Sequence, residues 1–235
     1  AELKEIKSHR DIQRQNRENS STPVAAIVGY TNAGKSTLLN RLTDAGVLSE
    51  DKLFATLDPT TRALQLPNGE KVLMTDTVGF IRKLPHNLIE AFRSTLEEAK
   101  YADIIIHVVD CSNDDYERHM STVYDTLNQL EVKDKPVITL FNKCDEFEEI
   151  PILKDSKADY VENISARTGM GIDSFLMDVQ DIILKSRIQI ERVFPYSDAG
   201  KIQLIREYGQ LESEEYTQDG IKVKGYVPAW VGGKL

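Results

Sequence analysis

An apolar run, Val24 to Val28, feeds directly into Gly29-Tyr30-Thr31-Asn32-Ala33-Gly34-Lys35-Ser36, and a helical pattern from Thr37 to Leu42 follows. No other stretch limits the fold so tightly. The octet fits G-x-x-x-x-G-K-[ST], a pattern whose chemistry works only between a strand and a helix. Glycines let successive backbone N–H groups turn inward around α- and β-phosphates, and the helix N-terminus adds its partial positive charge. In that frame Lys35 reaches the β- and γ-oxygens, the Ser36 hydroxyl ligates Mg²⁺, and Thr37 counts among the nucleotide contacts. A chance glycine-rich turn is the bland alternative, and the flanking strand and helix argue against it.

The rest of the chain repeats the alternation. Short β-branched runs, Val72 to Thr75, Ile104 to Val109, Val137 to Phe141 and Tyr160 to Ile164, read as strands buried on both faces. Leu88 to Ala99, Tyr116 to Leu130 and Ile172 to Lys185 read as helices, the first with Leu88, Phe92, Leu96 and Ala99 at helical spacing. The expectation is an α/β fold with a doubly wound, mostly parallel sheet. Arg62 to Leu66, Pro67-Asn68-Gly69 and Lys71 to Thr75 read as a hairpin, which makes one strand antiparallel and the sheet mixed. From Ile188 the pattern becomes strand, helix (Ala199 to Tyr208), strand (Gln210 to Thr217) and strand (Ile221 to Val227), turning at Gln218-Asp219-Gly220. Residues 1–21 are read as a linker helix or arm, 22–187 as a nucleotide-binding domain and 188–235 as a small α+β domain.

Composition removes other classes. Hydrophobic residues at 40% and charged residues at 29% disfavour collagen-like, disordered and disulfide-scaffold chains. The formal net charge of -9 argues against a protein that coats nucleic acid wholesale, since phosphate contacts depend on Lys and Arg. No segment approaches a membrane span and no secretory leader opens the chain, so a cytoplasmic, monomeric protein is expected. Cys111 and Cys144 lie far apart in sequence without metal-ligand spacing and read as reduced, unreactive thiols.

A phosphate loop does not choose between ATP and GTP. Asn142-Lys143-Cys144-Asp145 follows the strand Val137 to Phe141, where Asp145 can accept the N1–H and exocyclic N–H₂ of guanine while Lys143 lies along the base plane. Adenine lacks that donor pair and would leave a carboxylate unpaired. Asp76-Thr77-Val78-Gly79 ends the strand Val72 to Thr75, placing Asp76 to hold a Mg²⁺-bound water and the Gly79 N–H to meet the γ-phosphate. Ser165-Ala166-Arg167 follows Tyr160 to Ile164, where a backbone N–H can meet guanine O6. Each block alone is also a plain strand exit; in this order they read as one nucleotide site.

The five blocks together resemble those of the translation-factor-related GTPases. Phe54-Ala55-Thr56-Leu57-Asp58-Pro59-Thr60-Thr61-Arg62 and Asp76-Thr77-Val78-Gly79-Phe80-Ile81-Arg82-Lys83-Leu84-Pro85-His86 are similar to the HflX family in particular. The likeness spans about residues 24 to 187 and continues more weakly through Tyr216 to Val227. It implies that Phe54 to Asp58 contact nucleotide and that Thr56 closes on Mg²⁺ and the γ-phosphate, with Thr60 and Thr61 as rival candidates and turn formation as the other role for all three. It implies Lys35, Thr56 and Gly79 as catalytic groups and Ser36, Thr56 and Asp76 as metal contacts, the last through water. It further implies a GTPase that binds GTP and GDP, engages the large ribosomal subunit and splits stalled ribosomes. By the same resemblance Glu2 to Arg17 is the end of a linker to an N-terminal domain outside this chain.

Phe80 follows Gly79 where many GTPases carry Gln, so slow intrinsic hydrolysis is expected, accelerated by a partner, by switch backbone or by a cation. Asn32 resembles the asparagine of potassium-activated GTPases and is a candidate K⁺ ligand, a local loop bond being its other role. Arg82, Lys83 and His86 are candidate ribosome contacts or a solvated loop, and His107 reads as a satisfied core histidine. The competing functional readings are a GTP-gated module for an RNA-modification or assembly partner, and a P-loop kinase or ATPase, which Asn142 to Asp145 disfavours.

Overall fold

The computed structural model describes residues 22–43, 60–77, 79 and 98–235. The expectations for Glu2 to Arg17, Phe54 to Asp58 with Thr56, Val78, Phe80, Arg82, Lys83, His86 and most of Leu88 to Ala99 lie outside them; residues 98–101 are helical and Ala99 is buried.

The described residues group into two compact units, Pro23–Gln180 and one holding Asp181–Leu235. In the first, strands β1 (Val24–Gly29), β2 (Thr60–Gln65), β3 (Lys71–Asp76), β4 (Ile104–Asp110), β5 (Val137–Asn142) and β6 (Tyr160–Asn163) form one sheet in the order β2-β3-β1-β4-β5-β6. β1 lies parallel between β3 and β4, and β4, β5 and β6 continue parallel. Only β2 runs antiparallel, through the expected hairpin: the Gly69 N–H donates to Leu66 O at 2.8 Å and the Leu66 N–H to Glu70 O at 2.7 Å. Thr60 and Thr61 are therefore strand residues, opposite Asp76 and Thr75, and the Thr61 hydroxyl is bonded to that of Thr75 at 2.9 Å.

Burial explains the sequence. Ile104 to Val109 is buried along its whole length, as a central parallel strand covered on both faces must be. Helix α1 (Lys35–Thr43) buries Leu38 and Leu39, and α2 (Tyr116–Gln129) buries Met120, Val123, Tyr124 and Leu127, the i, i+3, i+4, i+7 stripe of a helix lying on a sheet. Val123 and Leu127 pack with Ala26, Val28 and Ile105, each such side chain contributing roughly 1.5–3 kcal/mol. Helix α3 (Ile172–Lys185) buries Phe175 and Val179.

His107 sits in β4 with its ring edge-on to Tyr124, centroids 5.0 Å apart. It departs from the expected satisfied histidine: it is buried and its Nδ1 makes no hydrogen bond among the described residues. Burial lowers its pKa from 6.5 to about 4, so it is neutral near pH 7. The unfolded chain takes up this proton first as pH falls. The contribution of a neutral His107 is therefore complete above pH 6.5 and is lost on approaching pH 4, by about 3 kcal/mol. Urea titrations from pH 7 to 4 should show a stability slope that flattens in His107→Leu; equal slopes would refute this placement of the proton.

In the second unit β7 (Ile188–Phe194), β8 (Gln210–Thr217) and β9 (Gly220–Val227) make an antiparallel sheet in the order β7-β9-β8. Helix α4 (Ala199–Tyr208) lays Ile202 and Ile205 on Phe194, Ile221, Val223 and Val227, joined by Val231 of the short α5 (Ala229–Gly232). Cross-strand pairs Lys222–Glu191 (3.1 Å) and Lys224–Glu212 (3.0 Å) are half-exposed and add little stability. Among the described residues no helix is long and apolar enough to cross a membrane.

Candidate functional site

The loop Gly29 to Gly34 leaves β1 and enters α1, and its shape depends on close approach. Gly34 has φ +95°, and a Cβ there would fall 2.2 Å from Asn142 Nδ2. Gly79 abuts the same loop: its Cβ would fall 2.8 Å from Thr31 Cγ2 and 3.0 Å from Lys35 Nζ. Asn32 adopts φ 63° and is exposed, Ala33 is buried, and the Tyr30 ring stacks on His119 of α2 at 3.8 Å and 9°. Stacking ties the loop's outer residue to the helix behind it.

Lys35 is 7% exposed, and its Nζ donates to Tyr30 O at 3.0 Å. Burial lowers its pKa to about 8, although the Asp76 carboxylate works in the opposite direction. Ser36 Oγ donates to Asp76 Oδ2 at 2.7 Å, bringing together the hydroxyl and carboxylate named from sequence. Thr37 is half-buried behind them. Thr77 is turned away, its hydroxyl donating to Ile27 O at 2.7 Å, so its side chain holds β3's exit against β1. Among the described residues no three His, Cys, Asp or Glu side chains cluster to hold a metal by themselves.

Asn142 links two loops. Its Nδ2 donates to Ala33 O at 2.8 Å and its Oδ1 accepts from the Ala166 N–H at 2.9 Å, in a buried setting. Lys143, at φ 69°, extends its Nζ to Asp110 Oδ2 at 2.7 Å; Asp110 Oδ1 in turn accepts from the Ser112 N–H and hydroxyl. The Asp145 carboxylate is held below the usual range by a bond from Ser165 and then by the Arg167 guanidinium. Ser165 is buried and its Oγ accepts from the Thr168 N–H. Arg41, in the last turn of α1, reaches across to the carbonyls of Ala166 and Arg167.

The structure thus gathers residues 29–37, 76, 77, 79, 142–145 and 165–167 at the carboxyl ends of the parallel strands, the place where open α/β sheets bind ligands. Sequence reasoning missed Arg41, Asp110 and His119, whose partners lie far along the chain. Asn142→Ala removes a bond to each of two loops and should weaken GDP binding about 10- to 100-fold, with Asn142→Asp between it and the wild type because only the acceptor survives. Titration with a fluorescent GDP checks this, and equal affinities would mean that the bridge is idle.

Residues 24–143 match the family described as 50S ribosome-binding GTPase. A curated GTPase HflX from Lacrimispora saccharolytica is 60% identical over 229 residues, 97% of this chain and 54% of that one. Its counterpart from Caldanaerobacter subterraneus subsp. tengcongensis is 45% identical over 233 residues, 99% and 54%. The chain spans about half the length of these curated relatives. Among solved structures, a GTP-binding protein from Sulfolobus solfataricus in complex with GDP is similar with TM-score 0.57 and 26% identity over 78% of this chain and 56% of that one. Era Y63A from Aquifex aeolicus bound to GDP.AlF4- is similar with TM-score 0.54 and 25% identity, covering 68% and 56%. The match over residues 24–143 and the identity to the curated HflX relatives lead to one conclusion: the chain belongs to the 50S ribosome-binding GTPase family, among its HflX GTPases.

Proposed function

We propose that the chain is the GTP-binding and GTP-hydrolysing part of a ribosome-associated factor that engages the large subunit and helps dissociate stalled ribosomes. The observation that carries this reading is the Asn142 bridge, which sets the phosphate loop and the Asp145–Ser165–Arg167 group on one side of the sheet, as a single guanine nucleotide requires. Residues 22–187 would form the GTP-binding domain and 188–235 a small C-terminal domain.

Lys35, buried and still a cation near pH 7, neutralises phosphate charge. Backbone N–H groups around Gly34 orient the phosphates, and Gly79, packed against Thr31 and Lys35, brings its N–H to the γ-phosphate end. Asp145 takes the guanine donors after the exposed Arg167 swings away, a displacement that costs little for a surface pair. The donor set fits Mg²⁺: Ser36 and Asp76 are hard oxygen ligands, and this ion is commonly held by one or two protein oxygens plus phosphate. When bound, it would offset the charge that develops on the transferring phosphoryl group. Asn32 is the proposed K⁺ ligand. The γ-phosphate would be the group whose presence or loss a partner reads.

The test is the initial rate of GTP hydrolysis with and without purified large subunits, in K⁺ and in Na⁺. Stimulation of about tenfold or more by subunits is expected, since Phe80 brings no group to orient water. No stimulation, together with no GTP-analogue-dependent co-sedimentation, would shift the reading to a GTP-gated module for an RNA-modification or assembly partner. Equal rates in K⁺ and Na⁺ would remove the proposed K⁺ site.

A further inference from the structure

The two cysteines, 33 positions apart in sequence, meet in the fold with Sγ atoms 3.5 Å apart. Cys111 follows β4, and its Sγ donates to Asn142 O at 2.9 Å; Cys144 lies between Lys143 and Asp145, and its Sγ donates to Phe141 O at 3.1 Å. Both carbonyls also accept backbone N–H groups, from Cys111 and Ile164, so the thiol hydrogens are not needed to satisfy them. A disulfide S–S bond is about 2.05 Å, so closure asks for a shift of roughly 1.5 Å. Both thiols are free, as the sequence reading expects, and the fold adds that they are in contact.

We propose that Cys111 and Cys144 form a reversible oxidation site that couples peroxide to nucleotide affinity; the coupling rests on the guanine-reading role assigned above to Asp145. The Cys144 sulfur attacks one peroxide oxygen: an S–O bond forms, the O–O bond breaks, and hydroxide leaves with the thiol proton as water. The Cys111 sulfur then attacks Cys144: the S–S bond forms, the S–O bond breaks, and the second water carries away the Cys111 proton. Two thiols are oxidised and one hydrogen peroxide is reduced to two waters. Cys144 is the attacking group because Cys111 is the more encumbered: its S–H is committed to Asn142 O at 2.9 Å, against 3.1 Å from Cys144 to Phe141 O, and the neighbouring Cys144 pushes its thiol up.

The pair is buried with Met120, Val109 and Phe141 and covered by Tyr116, Phe147 and Leu153. Residues 148–152, between two of those covers, are exposed along their length, so peroxide enters when this loop lifts. The new bond draws Cys144 toward the end of β4 and displaces its neighbours Lys143, anchored on Asp110, and Asp145.

The experiment treats the full chain with hydrogen peroxide, maps peptides without reduction, and titrates fluorescent GDP before oxidation, after it, and after dithiothreitol. A Cys111–Cys144 cross-linked peptide, a mass loss of about 2 Da and a reversible fall in GDP affinity of about tenfold, the worth of one hydrogen bond to a charged group, are expected. Cys111→Ser should bind GDP as the reduced wild type does and show no peroxide effect. Sulfinic acid at either cysteine without a cross-link, no reaction, or a cross-link that leaves GDP affinity unchanged would each overturn the proposal. A reduced chain that fails to bind GDP would count against the nucleotide reading, while the peptide map judges the disulfide independently.

Discussion

Lys35→Met is expected to lose GTP turnover by about a hundredfold or more while the nucleotide-free protein becomes more stable. The two effects share one cause. Lys35 is 7% exposed, and burial lowers its pKa from 10.5 to about 8, against the pull of Asp76. Holding the ammonium charged at pH 7 therefore opposes folding by about 3 kcal/mol, and an apolar side chain of similar length removes that opposition. The sign follows from proton counting. Between pH 8 and 10.5 the unfolded chain binds more protons, so wild-type stability rises with pH there, and the Met variant should lack that rise. A polyphosphate supplies the missing anionic partner, so nucleotide should stabilise the wild type far more than the variant. Thermal melts with and without GDP, paired with phosphate-release rates, check both halves. A variant that melts lower than wild type without nucleotide would show that the Tyr30 O and Asp76 contacts outweigh desolvation.

Asp145→Asn is expected to weaken GTP binding about a hundredfold or more and to erase most of the preference over ATP, since an amide oxygen cannot accept both guanine donors with a full charge. The carboxylate is poised for that role: the bond from Ser165 and the Arg167 guanidinium hold it ionised well below neutral pH. Competition of GTP and ATP for a fluorescent nucleotide measures both changes. Unchanged GTP affinity would refute Asp145 as the group that reads guanine. Because Arg167 also loses its partner in this variant, Arg167→Ala is the control; its side chain is 75% exposed, and it should keep guanine preference.

Much of the fold was legible because its signals are local. A β-branched run covered on both faces, an Asn-Gly bend and an i, i+3, i+4, i+7 stripe each act within a dozen residues, so β1, β4, the β2–β3 hairpin and α2 stand where periodicity placed them. The tail was legible too: Ile188, Ile190 and Phe194 keep strand spacing, and Asp219-Gly220 marks the turn between β8 and β9.

Roles were less legible than positions. Thr77 belongs to the DxxG block, yet its hydroxyl is bound to Ile27 O across the sheet. Thr61 is a strand residue whose hydroxyl is bonded to that of Thr75. His107 read as satisfied, and it is buried with Nδ1 unbonded among the described residues.

Neighbours along the chain are enough to specify the strand–loop–helix around Gly29 to Ser36 and the α/β layering. What holds those loops together is set by contacts that form only in the folded chain. Asn142 bonds Ala33 and Ala166, Arg41 reaches Ala166 and Arg167, Asp110 anchors Lys143, and Cys111 touches Cys144. These partners are separated by 24 to 126 positions and are joined by single polar side chains. Such contacts leave no periodic trace in one dimension, since they exist only after the parallel sheet has brought the ends of β1, β3, β5 and β6 to one side.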